Sequence, residues 1–132
     1  MKLGFAAAVE KFGKETLVKV DRVRRASIVE LFNLVILSTP VDTGRLRGNW
    51  QTSINAPILS DTERADKSGA IAQAEALANL GALVDVVFMT NNLPYAARIE
   101  YEDYSAQAPG GMVRKAVLRW EEIVEKKAKA YL

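Results

Sequence analysis

Residues 38–50 have the sequence STPVDTGRLRGNW, and this stretch separates a helical pattern from a strand pattern. The preceding residues, 5–38, contain no proline and carry apolar side chains at intervals of three and four, which predicts one long helix. That helix is expected to end at Thr39-Pro40, because the residue before a proline avoids the α region. Asp42-Thr43-Gly44 then predicts a turn, in which the glycine tolerates a positive φ angle.

An alternation of apolar and polar side chains follows the turn. Leu46 and Trp50 lie on one face of this pattern, whereas Arg45 and Arg47 lie on the other. The period of two residues predicts a half-buried strand over 46–54 with a basic, polar outer face. Because Trp50 falls on the apolar face, packing in the core is favoured over stacking on a nucleic-acid base.

The remainder of the chain predicts a small sheet and further helices. The segment 94–101 (PYAARIEY) favours a short helix that starts at Pro94, with a third strand over 96–101 as a nearly equal alternative. The order of elements predicts one α+β domain over 1–132, with a long N-terminal helix, a small antiparallel or mixed sheet, a short middle helix and a C-terminal helix. The other expected elements are a loop over 56–69, a helix over 69–79 capped by Ser68 and closed by Gly81, a strand over 83–90, and a helix over 111–131.

The composition excludes several kinds of chemistry. The 132 residues include no Cys and no His, which excludes disulfides, thiolate catalysis, histidine acid–base catalysis and most zinc sites. Lys and Arg number 18 against 16 Asp and Glu, so the formal charge of +2 gives no bulk argument for nucleic-acid binding. No apolar run approaches the roughly 20 residues that span a bilayer, and no convincing signal peptide is present. The chain is expected to be made and used in the cytoplasm, with no membrane partner and no cofactor.

The tripeptide Asp42-Thr43-Gly44 is the signature of aspartic proteases, in which two such aspartates share a proton. A dimer would supply the pair, with one aspartate from each subunit. The flanks differ from that class, because a helix precedes the tripeptide and Arg45 follows it, where a strand and a small residue are needed. The later apolar stretch of that class, which ends in a glycine-containing turn beneath the site, is not evident either. A simple turn is therefore favoured, and no catalytic set is predicted.

Five arginines form the basic set of the chain, and they are Arg22, Arg24, Arg25, Arg45 and Arg47. This basic set would face phosphate groups if DNA passed close to it. In a nearly neutral chain, the favoured alternative is a solvated face with ion pairs to Glu30, Glu100 or Glu102.

Three blocks of the sequence stand out together. They are residues 38–50 (STPVDTGRLRGNW), 92–101 (NLPYAARIEY) and 105–114 (SAQAPGGMVR). In order and approximate spacing they resemble the tail-completion family of long-tailed bacteriophages, also described as head–tail joining or neck proteins. The resemblance covers about residues 38–54 and 92–117. That family usually has glycine after the Glu-Tyr pair, whereas this chain has an acidic residue there.

The resemblance implies a structural protein of the virion neck, without catalytic, metal or cofactor sites. It implies a homo-oligomeric ring, expected to be hexameric, that joins the tail to the DNA-filled head. The implied partners are a head connector or stopper on one side and a tail terminator or tail tube on the other, with passive contact to DNA in an axial passage. The residues that the resemblance assigns to the fold are Thr43, Gly44, Leu46, Trp50, Tyr95, Ala96, Glu100, Tyr101, Pro109 and Met112.

One physical hypothesis concerns the contact between blocks. Glu100 is expected to pair with Arg45 or Arg47 and so to join the first block to the second. Replacement of this acid is then expected to lower stability by more than a surface change does.

A second hypothesis concerns the beginning of the long helix. Phe5, Val9 and Phe12 lie within residues 1–25, a part that is expected to project from the core and to contact a neighbouring subunit. The alternative functions are a tail-terminator protein, a DNA-binding module that uses the arginines, and an aspartic protease.

Overall fold

Helix α1 (Phe5–Ser38) is the longest element of the fold, which a computed structural model describes for residues 4–132. Its bounds agree with the prediction, and it ends where Thr39 adopts an extended conformation before the following proline. Val35 and Ile36, near its carboxyl end, are buried in the core. The fold is α+β, as predicted, because the helices accompany a two-stranded antiparallel sheet.

Strands β1 (Gln51–Ile54) and β2 (Val87–Thr90) form that sheet. The register places Thr52 opposite Met89. Thr52 is buried and Met89 packs against the core, so this pair faces the interior of the molecule. The side chains of the neighbouring pairs project from the opposite face of the sheet.

Helix α2 (Arg45–Gly48) replaces the first part of the predicted strand over 46–54. The carbonyl of Gly44 accepts the N–H of Gly48 at 2.9 Å, which closes one helical turn. Leu46 and Trp50 lie four positions apart, a spacing that fits one turn of a helix as well as it fits one face of a strand. The alternation therefore did not distinguish a helix from a strand. The strand prediction is therefore wrong before Gln51.

Helix α3 (Ala70–Ala78) lies within the predicted range of 69–79. The predicted cap, Ser68, accepts one backbone N–H of the first turn at 3.2 Å. Asp66 accepts a second such N–H at 2.9 Å, and it is buried. The start of this helix is therefore held by two side chains, of which the sequence analysis identified one.

Strand β2 is shorter than predicted, because residues 82–85 form a turn before it. Helix α4 (Ala96–Tyr101) follows β2. The segment 96–101 is helical, so the alternative of a third strand is wrong.

The predicted C-terminal helix over 111–131 is two helices, α5 (Val113–Val117) and α6 (Trp120–Tyr131). At the break, the N–H of Arg119 donates to the carbonyl of Ala116 at 3.0 Å, which is the spacing of a 3₁₀ turn. No proline or glycine marks this position, so the sequence carries no signal for it.

Helix α6 packs along α1, and the ammonium group of Lys127 lies 3.5 Å from the carboxylate of Glu30. The break before α6 shifts the buried stripe. Ile123 of α6 is buried, whereas Val117 at the end of α5 is exposed. Trp120 is half-buried.

The main core is formed by α1, α2, α4 and α5, with contributions from the segments between them. Its buried members are Val35, Ile36, Leu46, Trp50, Ala72, Leu93, Ala96, Ile99, Ala108, Met112 and Ala116. All three sequence blocks therefore contribute to one core.

The first half of α1 extends beyond the core as an arm, defined here as Phe5–Val20. Apart from the half-buried Gly13, each arm residue is exposed, and Val23 is the first buried residue of α1. At 1.5 Å per residue, the arm is roughly 24 Å long. Within the described residues, 4–132, no helix is both long enough and apolar enough to cross a membrane.

Candidate functional site

The three sequence blocks meet near the end of α1 and together form the motif cluster. Within the first block, the indole N–H of Trp50 donates to the hydroxyl of Thr39 at 2.7 Å. The second block contributes Leu93 to the same core. The third block is attached through Gln107, whose side-chain oxygen accepts the N–H of Val41 at 3.0 Å. The first and third blocks, which are far apart in the sequence, are thus joined by a specific hydrogen bond.

The turn of the first block is fixed by side-chain and backbone contacts. The hydroxyl of Thr43 accepts the N–H of Arg45 at 3.2 Å, as a turn of this composition predicts. The carbonyl of Gly44 accepts the N–H of Asp66 at 2.9 Å, and a Cβ atom on Gly44 would lie 2.7 Å from the backbone nitrogen of Lys67. Glycine is therefore required here both for its φ of +88° and for this close approach.

Arg45 and Arg47 bind segments near the turn, so their predicted pairing with Glu100 is wrong. The guanidinium of Arg45 lies 3.2 Å from the carboxylate of Asp61. Arg47 donates to the carbonyl of Thr39 at 2.8 Å and to two further backbone carbonyls. Because the last carbonyls of a helix have no partner within it, this arginine stabilises the end of α1.

Glu100 instead joins the second block to the third. Its carboxylate accepts the backbone N–H groups of Met112 at 2.6 Å, Val113 at 2.8 Å and Arg114 at 2.7 Å. The guanidinium of Arg114 lies 3.3 Å from the same carboxylate. The first N–H groups of a helix have no partner within it, so this buried acid satisfies the start of α5.

These donors favour the charged form of Glu100, which is only 5% exposed. Burial by itself would raise the pKa of Glu100, but the three backbone N–H groups and Arg114 hold this pKa below its usual value. The adjacent Gly111 has a φ of +91°, and a Cβ atom there would lie 2.7 Å from the carbonyl oxygen of Glu100. Glycine at this position therefore allows the acid to approach the helix start.

The other residues that the resemblance assigns to the fold divide between core and surface. Tyr101 is exposed, and the guanidinium of Arg114 lies 5.0 Å from the centre of its ring. Tyr95 and Pro109 are exposed as well. The buried members are Leu46, Trp50, Ala96 and Met112.

A cleft of about 450 Å³ lies within the motif cluster. Its lining includes Asp42-Thr43-Gly44, Tyr95 and residues 104–107. Asp42 is the one carboxylate among the lining residues, so the cleft of a single chain lacks the aspartate pair of an aspartic protease. Between residues 4 and 132, no group of three His, Cys, Asp or Glu side chains is arranged to hold a metal ion.

The other arginines of the basic set lie at the base of the arm. Arg24 donates to the carbonyl of Leu80 at 2.7 Å, and Arg25 donates to the carbonyl of Gly81 at 2.8 Å. Arg22 is exposed. The basic set thus divides into two groups, and four of its members donate hydrogen bonds to carbonyl or carboxylate groups of the same chain.

Three apolar side chains mark one face of the arm. Phe5, Val9 and Phe12 are 87%, 52% and 70% exposed. Eighteen residues, or about five helical turns, separate Phe5 from the buried Val23 and Phe12 from Glu30, so these residues share one face of α1. Helix α6 covers that face farther along, where its lysine pairs with Glu30. The exposed face of the arm therefore continues the surface on which α6 packs.

No sequence pattern marks the polar residues that hold the loop between β1 and α3. Arg64 donates to the carbonyl of Gly48 at 2.8 Å and pairs with Glu75 at 2.6 Å. Asn49 is fully buried, and its amide bonds both the N–H and the carbonyl of Thr62. Such contacts have no periodic pattern in the sequence, so the structure alone reveals them.

Comparison of the chain with known protein families, with curated proteins and with solved structures finds no match in any of the three. The features that bear on function are therefore the three sequence blocks and the geometry of the motif cluster and the arm.

Proposed function

We propose that the chain is a structural subunit of a bacteriophage neck. In this proposal, copies of the chain form a ring that joins the completed tail to the DNA-filled head and leaves an axial passage for DNA. The ring is expected to contain six copies. Its neighbours are a head connector or stopper on one side and a tail terminator or tail tube on the other.

The observation that carries the proposal is the exposed apolar face of the arm. Phe5 and Phe12 are among the most exposed large side chains of the described residues, and they share one face of a helix. Large aromatic side chains bury about 150–250 Å² each when they are covered. A contiguous apolar face of this kind marks a surface for another protein, and a neighbouring copy in a ring would cover it.

A groove between α1 and α3 offers the complementary surface. It encloses about 570 Å³, and its apolar lining includes Val18, Leu77 and Leu80. One wall of the groove is α1 itself, between Val18 and Glu30, so the arm belongs to the same helix as that wall. One rigid helix does not fill its own groove, so an arm that binds there comes from another copy. A contact between two different surfaces generates a ring when the rotation that relates each copy to the next adds up to a full circle.

The motif cluster supports the same proposal. The three blocks that resemble tail-completion proteins adjoin one another, and their residues provide most of the core. Four arginines of the basic set bind carbonyl or carboxylate groups of the same chain, which favours a structural role for them over a role in binding DNA.

An in vitro joining experiment tests the proposal. DNA-filled heads and completed tails are prepared from a phage mutant that lacks this chain, and they are mixed with or without the purified protein. The expected result is that the wild-type protein restores infectious particles.

The matched controls use exposed apolar residues in two places. A chain with Phe5→Ser and Phe12→Ser is expected to fail, because the arm contact is lost. A chain with Leu118→Ser, at a site 87% exposed and outside the arm, is expected to join heads to tails like the wild type. The proposal is wrong if heads and tails of the mutant join equally well without the protein.

A further inference from the structure

Gly13 interrupts the arm for no reason that lies within its own chain. A glycine in the middle of an exposed helix is less stable than an alanine, because it loses more backbone freedom on folding. The backbone of Gly13 has no positive φ angle, and a Cβ atom on it would meet no heavy atom of the described residues within 4 Å. Neither backbone conformation nor packing within one copy therefore requires glycine at this position.

The row of side chains to which Gly13 belongs is otherwise apolar and exposed. On a helix, residues four positions apart form a ridge, and the ridge through Gly13 consists of Phe5, Val9, Gly13 and Leu17. The three large members are exposed, whereas Gly13 is half-buried between its neighbours. The ridge therefore has a gap at Gly13, with Val9 on one side and Leu17 on the other, through which a side chain of another helix can reach the backbone of the arm.

Helix α3 has an exposed face with the complementary pattern. Leu77, which lines the groove, is 61% exposed. Ala70 and Ala74 lie seven and three positions before Leu77 on the same side of the helix, and both are exposed. The other exposed residues of α3 are Ile71 and Ala78, so this face carries no charge. Small side chains allow two helices to approach closely, and Leu77 projects from among them at the edge of the groove.

We propose that α3 of one copy crosses the arm of the next copy at Gly13, and that Leu77 fills the gap between Val9 and Leu17. This contact rests on the proposed function, because it takes the arm and the groove as partners, and it adds the point at which they meet. The sizes of the side chains select this point, since the projecting leucine of the groove meets the position of the ridge that has no side chain. Neither the ridge nor the exposed face of α3 carries a charge, so the contact buries no unpaired charge.

The contact predicts opposite effects of Gly13→Ala on the free chain and on the ring. Alanine favours an exposed helix over glycine, so the free variant is expected to be at least as helical and as stable as the wild type. In the ring, the added methyl group occupies the space of Leu77, and the contact between copies is expected to weaken about tenfold or more. A glycine that only weakens the arm helix would not give this combination, because alanine would then leave the contact unchanged or strengthen it.

A double-mutant cycle tests the contact between Gly13 and Leu77. Sedimentation over a range of concentrations measures the strength of association for the wild type, Gly13→Ala, Leu77→Ala and the chain with both changes. Gly13→Ala is expected to weaken association about tenfold when Leu77 is present, and less than about twofold when Leu77→Ala has freed the space. Ala7→Leu is the matched control, because Ala7 is exposed on the side of the arm opposite Phe5, and it is expected to leave association unchanged.

The outcomes separate this contact from the ring itself. Association that Gly13→Ala strengthens, or weakens equally in both backgrounds, overturns the contact at Gly13 and leaves the ring in place. A similar loss in Ala7→Leu also overturns it, because any added bulk on the arm would then be harmful. A wild-type chain that stays at monomer mass at high concentration overturns both the contact and the proposed ring.

Discussion

Glu100 lies where α4 meets the start of α5, and its carboxylate accepts three backbone N–H groups. From the sequence alone, an arginine of the first block is the expected partner of Glu100. Side-chain charges are visible in a sequence, whereas the N–H groups of a helix start belong to residues of any type, so the true partner could not be identified beforehand. Gly44 is different. Its place after Asp42-Thr43 predicted a turn, and the structure confirms both the turn and the positive φ.

Replacement of Glu100 by Gln tests this contact at the scale of one residue. The variant is expected to lower the free energy of unfolding by about 2–3 kcal/mol, because a charged acceptor of buried N–H groups is lost. Urea denaturation at pH 7 measures the change. Glu102→Gln removes an exposed acid two positions away and is expected to cost less than about 0.5 kcal/mol. Similar effects of the two substitutions would show that the bonds of Glu100 contribute little.

The lowered pKa of Glu100 also predicts a dependence of stability on pH. A carboxyl whose pKa is lower in the folded state stabilises the fold above its unfolded pKa, which is about 4.5 for glutamate. This contribution is lost as the pH falls below that value and passes through the lower pKa of folded Glu100. The difference in unfolding free energy between the wild type and Glu100→Gln is therefore expected to shrink as the pH falls below about 4.5. A difference that stays constant over this range would contradict the pKa shift.

Among the elements, long periodic segments were predictable and short ones were not. The bounds of α1 follow from its apolar spacing and from the proline after it. The first part of the predicted strand over 46–54 is helical instead, because contacts with the loop that contains Arg64 hold the chain there. The break between α5 and α6 has no local signal in the sequence. Beyond the break, α6 packs along α1, so the reason for the break is a tertiary contact. Tertiary contacts decide these short elements, and a single sequence does not display them.

The arm and the groove make a prediction at the same scale. We expect that the double variant Phe5→Ser, Phe12→Ser and the groove variant Leu77→Lys each fail to form rings. Native mass spectrometry measures the number of copies in each assembly. When the two variants are mixed, the intact arm of the groove variant is expected to bind the intact groove of the arm variant. This contact gives a dimer and no ring, because the two surfaces that remain free in the dimer are the substituted ones. Rings that persist in the double variant would contradict the role of the arm.

At the scale of the whole molecule, the α+β class and the order of the main elements were predictable from the sequence. A contact between the first and second blocks was also predicted, although with the wrong pair of residues. The packing of the loop over 55–69 was not predictable, because this loop is held by polar bonds that leave no pattern. Those bonds include the fully buried Asn49 and the Arg64–Glu75 pair. The molecule that results has a well-packed motif cluster and a projecting arm, and the exposed apolar face of the arm is a surface that suits another protein chain.

Cryo-electron microscopy of the purified phage particle tests the neck assignment most directly. The account predicts a ring of this fold between the head connector and the tail, with the arm of each copy against the next copy. A neck whose density accommodates no copy of this fold, or a particle in which the chain lies elsewhere or is missing, would contradict it.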